Sequence, residues 1–143
     1  MRRLPLVAAA LIVAAVGVHG VSAATTPKSV VRAWSKALNA NDNAGAAKLF
    51  ALNARVIQPG VDVALTSRAL ALAFNESLPC AGKIVRITVK GNRATATFVL
   101  GERPKHRCDA PGAKAAAVFT VQHGKIIRWQ QVPVPAAPTG PTA

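Results

Sequence analysis

The chain has 143 residues, and 18 Lys and Arg against five Asp and Glu give it a formal net charge of +13. A chain of this length predicts one domain. Its aromatic residues, four Phe and two Trp, are fewer than expected for a nucleic acid binder, whose basic surface is interleaved with aromatics. Two cysteines and three histidines without ligand-like spacing argue against a zinc site, and the sequence predicts no metal and no cofactor.

Residues 1–24 have the composition of a secretory signal peptide. Arg2 and Arg3 precede an apolar run at residues 4–18, and the small residues after it form a cleavage pattern. The alternative is an uncleaved membrane anchor, because residues 4–24 carry no Lys, Arg, Asp or Glu and about 20 such residues can span a bilayer. Cleavage is favoured because the run is mostly Ala and Val. We therefore expect a secreted or periplasmic domain.

Export determines how the two cysteines, Cys80 and Cys108, are interpreted. In an oxidising compartment an isolated pair of cysteines is most simply one disulfide. Its loop of about 29 residues would remove roughly 3–4 kcal/mol of unfolded-chain freedom in the entropy model. A free catalytic thiol is the alternative.

The positive charge is distributed along the whole sequence. It falls to +11 when Arg2 and Arg3 leave with the signal peptide, and residues 103–107 form the only tight cluster. Dispersed cations are typical of a solvated basic surface that adheres to anionic envelope components. A dedicated binder of an anionic polymer is the alternative, and nucleic acid is not an expected partner.

The first half of the mature chain predicts helices. Thr26 and Pro27 form a helix start, with an N-cap hydroxyl before Pro at the first helical position. The apolar positions that follow at helical spacing are Val30, Val31, Trp34, Ala37 and Leu38. Asp42 is predicted to cap a second, short helix over residues 43–52.

A short strand and a third helix are predicted next. Residues 55–58 form the strand, which Pro59-Gly60 ends. Thr66 or Ser67 caps the helix. Its predicted buried face consists of Leu70, Ala73, Phe74 and Leu78.

The second half changes to a period of two, which indicates half-buried strands. The predicted strands are residues 83–90, 93–101, 114–122 and 125–132, with a hairpin turn at Gly91-Asn92. In the first of them, Val85, Ile87 and Val89 are predicted to share the buried face.

Helices followed by strands predict an α+β domain over residues 25–133, with three helices packed on a curved antiparallel sheet. The remaining residues, 134–143, are rich in Pro, Ala, Thr and Gly, which is typical of a disordered tail.

This order of elements, with the closing segment GKIIRWQQV, resembles the nuclear transport factor 2-like superfamily and in particular its SnoaL-like members. The resemblance covers about residues 27–133. It implies a cone in which a bent sheet surrounds three helices and often leaves an apolar pocket open at one end. It implies little about activity, because the superfamily holds isomerases, dehydratases, cyclases, hydrolases and many non-enzymes.

A closer resemblance, to the limonene epoxide hydrolase branch, lies in VLGERPKHR followed by AAAVFTVQHGKIIRWQQV. That family is thought to use an Asp-Arg-Asp set. The resemblance places the arginine at Arg103, whereas the two acid positions hold Lys105 and Gln131. Gln131 cannot exchange a proton near working pH, and Lys105 among other cations is a poor base. The ketosteroid isomerase version needs a Tyr hydroxyl, and the chain contains no Tyr.

The segment GERPKHRCD, residues 101–109, is therefore predicted to be an active-site hairpin that has lost its acids and gained a disulfide. Three interpretations remain open: a solvated basic loop, a cationic pocket rim in which Arg103 with Lys105 or His106 holds an anionic group, and a catalytic site. The candidate ligand-pocket residues are Trp34, Glu102, Arg103, Trp129 and Gln131.

We expect a non-catalytic domain that binds a small, mostly apolar molecule or serves as an interaction module in the envelope. A homodimer through the sheet is the expected assembly, if one forms. The first alternative is an enzyme on a small apolar substrate, in which Arg103 and Glu102 would be essential. The second is a binder of anionic polymer, whose affinity would fall steeply with salt.

Overall fold

A computed structural model describes residues 25–140, which contain three helices and six strands. The elements are α1 (Pro27–Asn39), α2 (Asn43–Lys48), β1 (Phe50–Gln58), β2 (Val61–Leu65), α3 (Arg68–Ser77), β3 (Ala81–Lys90), β4 (Arg93–Gly101), β5 (Lys114–Gln122) and β6 (Lys125–Val132). The predicted signal peptide, residues 1–24, lies outside the described residues. Between residues 25 and 140 there is no helix with the length and apolar character to cross a membrane.

The helices pack on one face of a curved sheet, which confirms the predicted α+β fold. The strand order is β2-β1-β6-β5-β4-β3, and β3 to β6 form the predicted antiparallel meander. One pair differs from the prediction, because β1 and β6 run parallel, with Val56 beside Trp129. These two strands are far apart in sequence, so no tight turn forces them to be antiparallel.

α1 begins where the sequence predicts. The Thr26 hydroxyl accepts a hydrogen bond from the Ser29 N–H at 3.1 Å, and Pro27 follows at the first helical position. Four of the predicted stripe residues are buried: Val30, Val31, Trp34 and Leu38. This stripe fixes α1 on the sheet, since each such side chain contributes roughly 1.5–3 kcal/mol on full burial.

The second helix is shorter than predicted and the strand after it is longer. α2 ends at Lys48, and β1 already begins at Phe50. The cause is pairing with the last strand: Phe50 lies in register with Ile126, whose N–H donates to the Leu49 carbonyl at 2.8 Å. This partner strand lies more than seventy positions later, so no local pattern around Phe50 reports it.

A turn at Gly60 leads into β2, which the sequence did not predict. Gly60 has a φ of 74°, a conformation that glycine adopts without a side-chain penalty. Val61 and Val63 are exposed, so β2 lacks the buried alternation that marks a half-buried strand. Asp62 of β2 forms an ion pair with Arg55 of β1, with an N···O distance of 2.6 Å.

α3 has the predicted cap but a different buried face. The Ser67 hydroxyl accepts from the Leu70 N–H at 3.2 Å. The buried residues of the helix are Ala71, Phe74 and Asn75. The predicted Leu70 and Ala73 are exposed instead. The helix is rotated toward Asn75 because this polar side chain is hydrogen-bonded inside the core, which a hydrophobic pattern does not reveal.

A β-bulge in β3 changes the predicted face of that strand. The register slips by one residue between Ile84 and Arg86, so Val85 is the extra residue. As a result, Ile84 and Ile87 pack against the core, whereas Val85 and Val89 are exposed. The predicted buried face is therefore wrong for both valines.

The core lies between the helices and the inner face of the sheet. It contains all six aromatic side chains of the protein: Trp34, Phe50, Phe74, Phe98, Phe119 and Trp129. Several meet edge to face, with ring centroids 5.1 Å apart for Trp34 and Phe119 and 5.2 Å apart for Phe74 and Trp129. Such pairs add about 0.5–1.5 kcal/mol beyond burial.

Residues 133–140 follow β6 without a helix or strand. One contact ties them to the sheet, where Arg86 donates to the Ala136 carbonyl at 3.4 Å. The disorder expected for residues 134–143 stays a prediction.

Candidate ligand-binding cavity

A cavity of about 430 Å³ opens at the end of the sheet where β4 leads into β5. α1 and the segment after α3 form one wall, and the inner face of the sheet forms the other. Its lining includes Trp34, Leu38, Leu78, Phe98, Trp129 and Gln131. This volume and this apolar wall are typical of small-molecule sites, which occupy about 300–1,000 Å³.

The two tryptophans of the cavity wall differ in their hydrogen bonding. Their ring centroids are 6.4 Å apart, and both side chains are buried. The Nε1–H of Trp34 donates to Asn75 Oδ1 at 2.8 Å. The Nε1–H of Trp129 is buried without an acceptor in the described part of the chain. A buried donor without a partner costs about 1–3 kcal/mol, so the indole of Trp129 leaves an unsatisfied hydrogen-bond donor in the core beside the cavity.

The sheet register explains why Trp129 has no acceptor. Its neighbours across the sheet are Val56 on β1 and Phe119 on β5, both buried. Phe74 of α3 packs against it from the helix layer. None of these side chains carries a hydrogen-bond acceptor. The indole therefore lies in an apolar environment.

Polar side chains border the cavity. Gln58 and Gln131 extend from the ends of two adjacent strands, and Gln58 Nε2 donates to Gln131 Oε1 at 3.5 Å. Asp109 of the β4–β5 connection and Lys114 at the start of β5 also contribute to the lining and are exposed. Sequence reasoning left Gln58, Asp109 and Lys114 out of the pocket set, because only the closed fold brings these segments to one rim.

Arg103, which was predicted at a pocket rim, is absent from the lining of this cavity. The residue is buried, with 3% of its surface exposed. It donates to the main-chain oxygens of Asn75 and Leu78 at 3.0 and 2.6 Å, at the end of α3. It also donates to the Oδ1 atoms of Asn41 and Asn43, between α1 and α2. The guanidinium thus joins the β4–β5 loop to the end of α3, to the α1–α2 turn and to the start of α2.

The burial of Arg103 is compensated in part by oriented oxygens rather than by a direct ion pair, and its Nε is buried without an acceptor among the described residues. Burial lowers the pKa of its guanidinium, and the negative charge of nearby Glu76 opposes this shift. The carbonyls that it binds at the end of α3 carry the negative end of the helix dipole, which stabilises a cation. Both terminal nitrogens are occupied by these contacts, so Arg103 is a structural cation.

The remaining charged residues of the 101–109 segment shape a loop outside the cavity. Glu102 is exposed, and its Oε2 accepts from the Cys108 N–H at 2.9 Å. Lys105 has a φ of 63° within a tight turn, in which the His106 N–H donates to the Arg103 carbonyl at 3.2 Å. Among the described residues, the cavity lining does not include Glu102, Lys105 or His106. Of the three interpretations, the geometry favours a basic surface loop.

The predicted disulfide between Cys80 and Cys108 is confirmed. It joins the segment after α3 to the β4–β5 loop, and Cys80 contributes to the cavity wall. Asp109 Oδ1 lies 3.4 Å from Cys80 Sγ, which places three potential metal-ligand residues together. A metal binds the thiolate form of cysteine, and both sulfurs here are consumed by the disulfide.

The cavity presents few groups for acid–base chemistry. Among its lining residues Asp109 is the one carboxylate, and Gln131 stands at an acid position of the epoxide hydrolase pattern. Trp34, Trp129 and Gln131 line the cavity as pocket residues should, and their contact with a ligand stays a prediction. Arg103 and Glu102 lie elsewhere. The lining is largely apolar, with its polar groups at the border.

Solved structures of other proteins share this fold. An NTF2-like protein of unknown function from Cytophaga hutchinsonii is 14% identical, with a TM-score of 0.62 over 76% of this chain and 89% of that one. A candidate polyketide cyclase from Sinorhizobium meliloti is 20% identical, with a TM-score of 0.59 over 72% and 93%. A candidate ketosteroid isomerase from Kribbella flavida is 21% identical, with a TM-score of 0.58 over 80% and 83%. At these identities the likeness shows the fold alone.

Family membership follows from the sequence match. No curated protein matches the chain. The SnoaL-like domain family matches residues 31–129, which run from the middle of α1 to the tryptophan of β6. Because this match spans well over half of the 143 residues, the chain belongs to the SnoaL-like domain family.

Proposed function

We propose that the protein is an exported, non-catalytic SnoaL-like domain that binds a small, mostly apolar molecule carrying one neutral hydrogen-bond acceptor. The observation that carries this proposal is the unpaired Nε1–H of Trp129 in the wall of an apolar cavity of about 430 Å³. A carbonyl or ether oxygen would satisfy that donor and recover the roughly 1–3 kcal/mol that its burial costs. The rest of the ligand would cover apolar wall, including Leu38 and Leu78, and exclude water.

A neutral acceptor fits this wall better than a carboxylate. The surroundings of Trp129 are Val56, Phe74 and Phe119, and burying an unpaired charge among them is costly. The buried guanidinium of Arg103 lies outside the cavity lining and has its terminal nitrogens occupied. The one carboxylate of the lining, the exposed Asp109, would repel a ligand carboxylate, and the register of Lys114 with Val99 directs its ammonium to the outer face of the sheet.

Export is part of the proposal and has two supports. A disulfide between Cys80 and Cys108 persists in an oxidising compartment, and residues 1–24 have the composition of a signal peptide. Intact mass measurement of the protein recovered from its natural envelope or medium reports cleavage and any retained ligand together. A chain with its first 24 residues still attached would contradict this part of the proposal.

The binding proposal is tested by NMR, because the chain has two tryptophans and hence two indole N–H signals. The mature, oxidised protein is labelled with ¹⁵N and titrated with α-tetralone and, as its matched hydrocarbon, with tetralin. We expect α-tetralone to move the Trp129 signal downfield and to leave the Trp34 signal in place, since Trp34 is already bonded to Asn75. Tetralin should bind about five- to tenfold more weakly, which corresponds to about 1–1.4 kcal/mol.

Trp129→Phe assigns the signal and provides the matched control. It removes the donor and keeps an apolar ring, so α-tetralone and tetralin should then bind with similar affinity. Trp34→Phe should preserve the preference for the ketone. Equal affinities of the two probes for the unchanged protein, or a ketone that shifts only the Trp34 signal, would refute the proposal.

A further inference from the structure

The outer face of the sheet, which points away from the helices and the cavity, collects positive charge. Strand register and side-chain alternation place seven of the sixteen Lys and Arg of residues 25–140 on this face in addition to Lys125, whose ammonium turns back to donate to the Lys48 carbonyl. They are Arg55 of β1, Lys83, Arg86 and Lys90 of β3, Arg93 of β4, Lys114 of β5 and Arg128 of β6. Within the described strands, Asp62 is the one carboxylate on the same face, and it forms an ion pair with Arg55.

Four of these side chains form a cation row that crosses the strands. Lys90 lies opposite Arg93, Arg93 opposite Thr120, Thr120 opposite Arg128, and Arg128 beside Arg55. With neighbouring strands about 4.8 Å apart, the row from β3 to β1 is roughly 19 Å long. All four cations are exposed.

The cation row opposes folding. Like charges that lie directly opposite each other in a sheet are destabilising, and the row contains two such contacts, Lys90 with Arg93 and Arg128 with Arg55. Asp62 compensates Arg55 alone. An anionic partner that spans the row would remove this repulsion.

An open depression lies at one end of the cation row. It has a volume of about 670 Å³, and its lining includes Thr88, Lys90, Arg93, Thr95 and Val118. Two cations and two hydroxyls thus face one concavity. Such a combination can hold phosphate oxygens through charge and hydrogen bonds together.

We propose that the cation row binds a linear polyanion with regularly spaced phosphates and recognises the phosphates through charge and hydrogen bonds, without contacts to nucleobases. The six aromatic side chains of the protein are all buried, so the outer face has no ring on which a nucleobase can stack. This site shares no residue with the proposed ligand cavity and does not depend on it.

Two other occupants of the outer face are disfavoured by its shape and charge. A second copy related by a two-fold axis would place the same patch against itself, and the cations would repel. A membrane surface is locally flat, whereas this face belongs to a curved sheet and has a depression at one end of the cation row. A flexible chain can follow the cation row across five strands, which a flat surface cannot do.

The test measures binding of the mature, oxidised protein to long-chain inorganic polyphosphate by fluorescence anisotropy at several salt concentrations. With up to four contacts, the slope of log K against log salt should be about −3, so affinity should fall roughly 50-fold between 50 and 200 mM salt. The double variant Lys90→Gln/Arg93→Gln should bind roughly 10- to 30-fold more weakly at 0.1 M salt, with a slope near −1.4.

The matched control is Lys28→Gln/Arg32→Gln, which removes two exposed cations from α1 and changes the net charge by the same amount. We expect the affinity of the control variant for polyphosphate to fall by less than about threefold. The melting temperature of the row variant should equal or exceed that of the unchanged protein, because the repulsion between positions 90 and 93 is gone.

Three results would overturn the proposal. Equal losses in both double variants would show that net charge alone attracts the polymer. Tighter binding of single-stranded DNA than of polyphosphate with the same number of phosphates would show that bases contribute. Binding to vesicles of anionic phospholipid without binding to polyphosphate would identify a membrane surface as the occupant.

Discussion

Replacing the buried arginine separates a structural role from a ligand-binding role. Arg103→Met keeps a long apolar side chain and removes the guanidinium, which donates to Asn75, Leu78, Asn41 and Asn43. Hydrogen bonds from a charged donor contribute about 1.5–3 kcal/mol each, so four amount to roughly 6–12 kcal/mol before other terms. Part of this loss is offset, because folding of the variant does not have to remove a guanidinium from water.

The net loss expected for Arg103→Met is about 3–5 kcal/mol in the free energy of unfolding, the range found when one member of a buried polar network is removed. For a domain of this size that corresponds to a fall in melting temperature of roughly 12–20 °C. Urea denaturation of the oxidised protein measures the free energy. Arg107→Met is the matched control, since Arg107 is exposed in the same loop and should change stability by less than about 0.5 kcal/mol.

The affinity for α-tetralone provides the second readout for Arg103. The folded fraction of Arg103→Met should bind it as the unchanged protein does, because Arg103 is not in the cavity wall. A variant that stayed within 1 kcal/mol of normal stability and lost binding would refute this reasoning. It would restore the interpretation of Arg103 as a pocket residue.

Two further changes test the walls of the cavity. Cys80→Ser/Cys108→Ser should lower the free energy of unfolding by roughly 3–4 kcal/mol, because the unfolded chain regains the entropy of the open loop. Urea denaturation measures this loss. An unchanged denaturation midpoint would show that the disulfide does not limit the unfolded chain. Gly82→Ala should cost about 1–3 kcal/mol, because a Cβ there would meet Phe98 Cδ1 at 2.9 Å in the tightly packed wall. Gly101→Ala is its control, since a Cβ at Gly101 meets nothing within 4 Å, and equal effects of the two changes would contradict the packing argument.

The parts of the fold that were predictable from sequence are those with local signals. Thr26 and Pro27 mark the start of α1, and the Gly91-Asn92 turn separates two strands of period two. The wrong boundaries have non-local causes. β1 begins at Phe50 because of Ile126, and the bulge at Val85 is a property of a strand pair.

The residues of the candidate site also divide into those whose place could be predicted from the sequence and those whose place could not. The positions of Trp34 and Trp129 followed from the family resemblance, because the fold determines which elements surround the cavity. The role of Arg103 could not be derived, since its acceptors come from two distant segments, residues 41–43 and 75–78, and include two main-chain carbonyls. A sequence pattern does not show which main-chain oxygens accept hydrogen bonds.

The cations of the outer face illustrate the limit of reasoning about charge along a chain. The sequence has one tight cluster, at residues 103–107, and this cluster proves to be a loop around a structural arginine. The cation row draws on positions from Arg55 to Arg128, which only the sheet register brings into line. Clustering in sequence therefore indicated the wrong surface.

The alternation of side chains along β6 places the two proposed sites on opposite faces of one strand. Arg128 points outward into the cation row, and the next residue, Trp129, points inward to the cavity. Successive strand residues face opposite sides, so a polymer on the row and a ligand at the indole share a strand but no atom. Neither occupant displaces the other. The same short strand can therefore hold the domain on an anionic polymer while its cavity remains available to an apolar molecule.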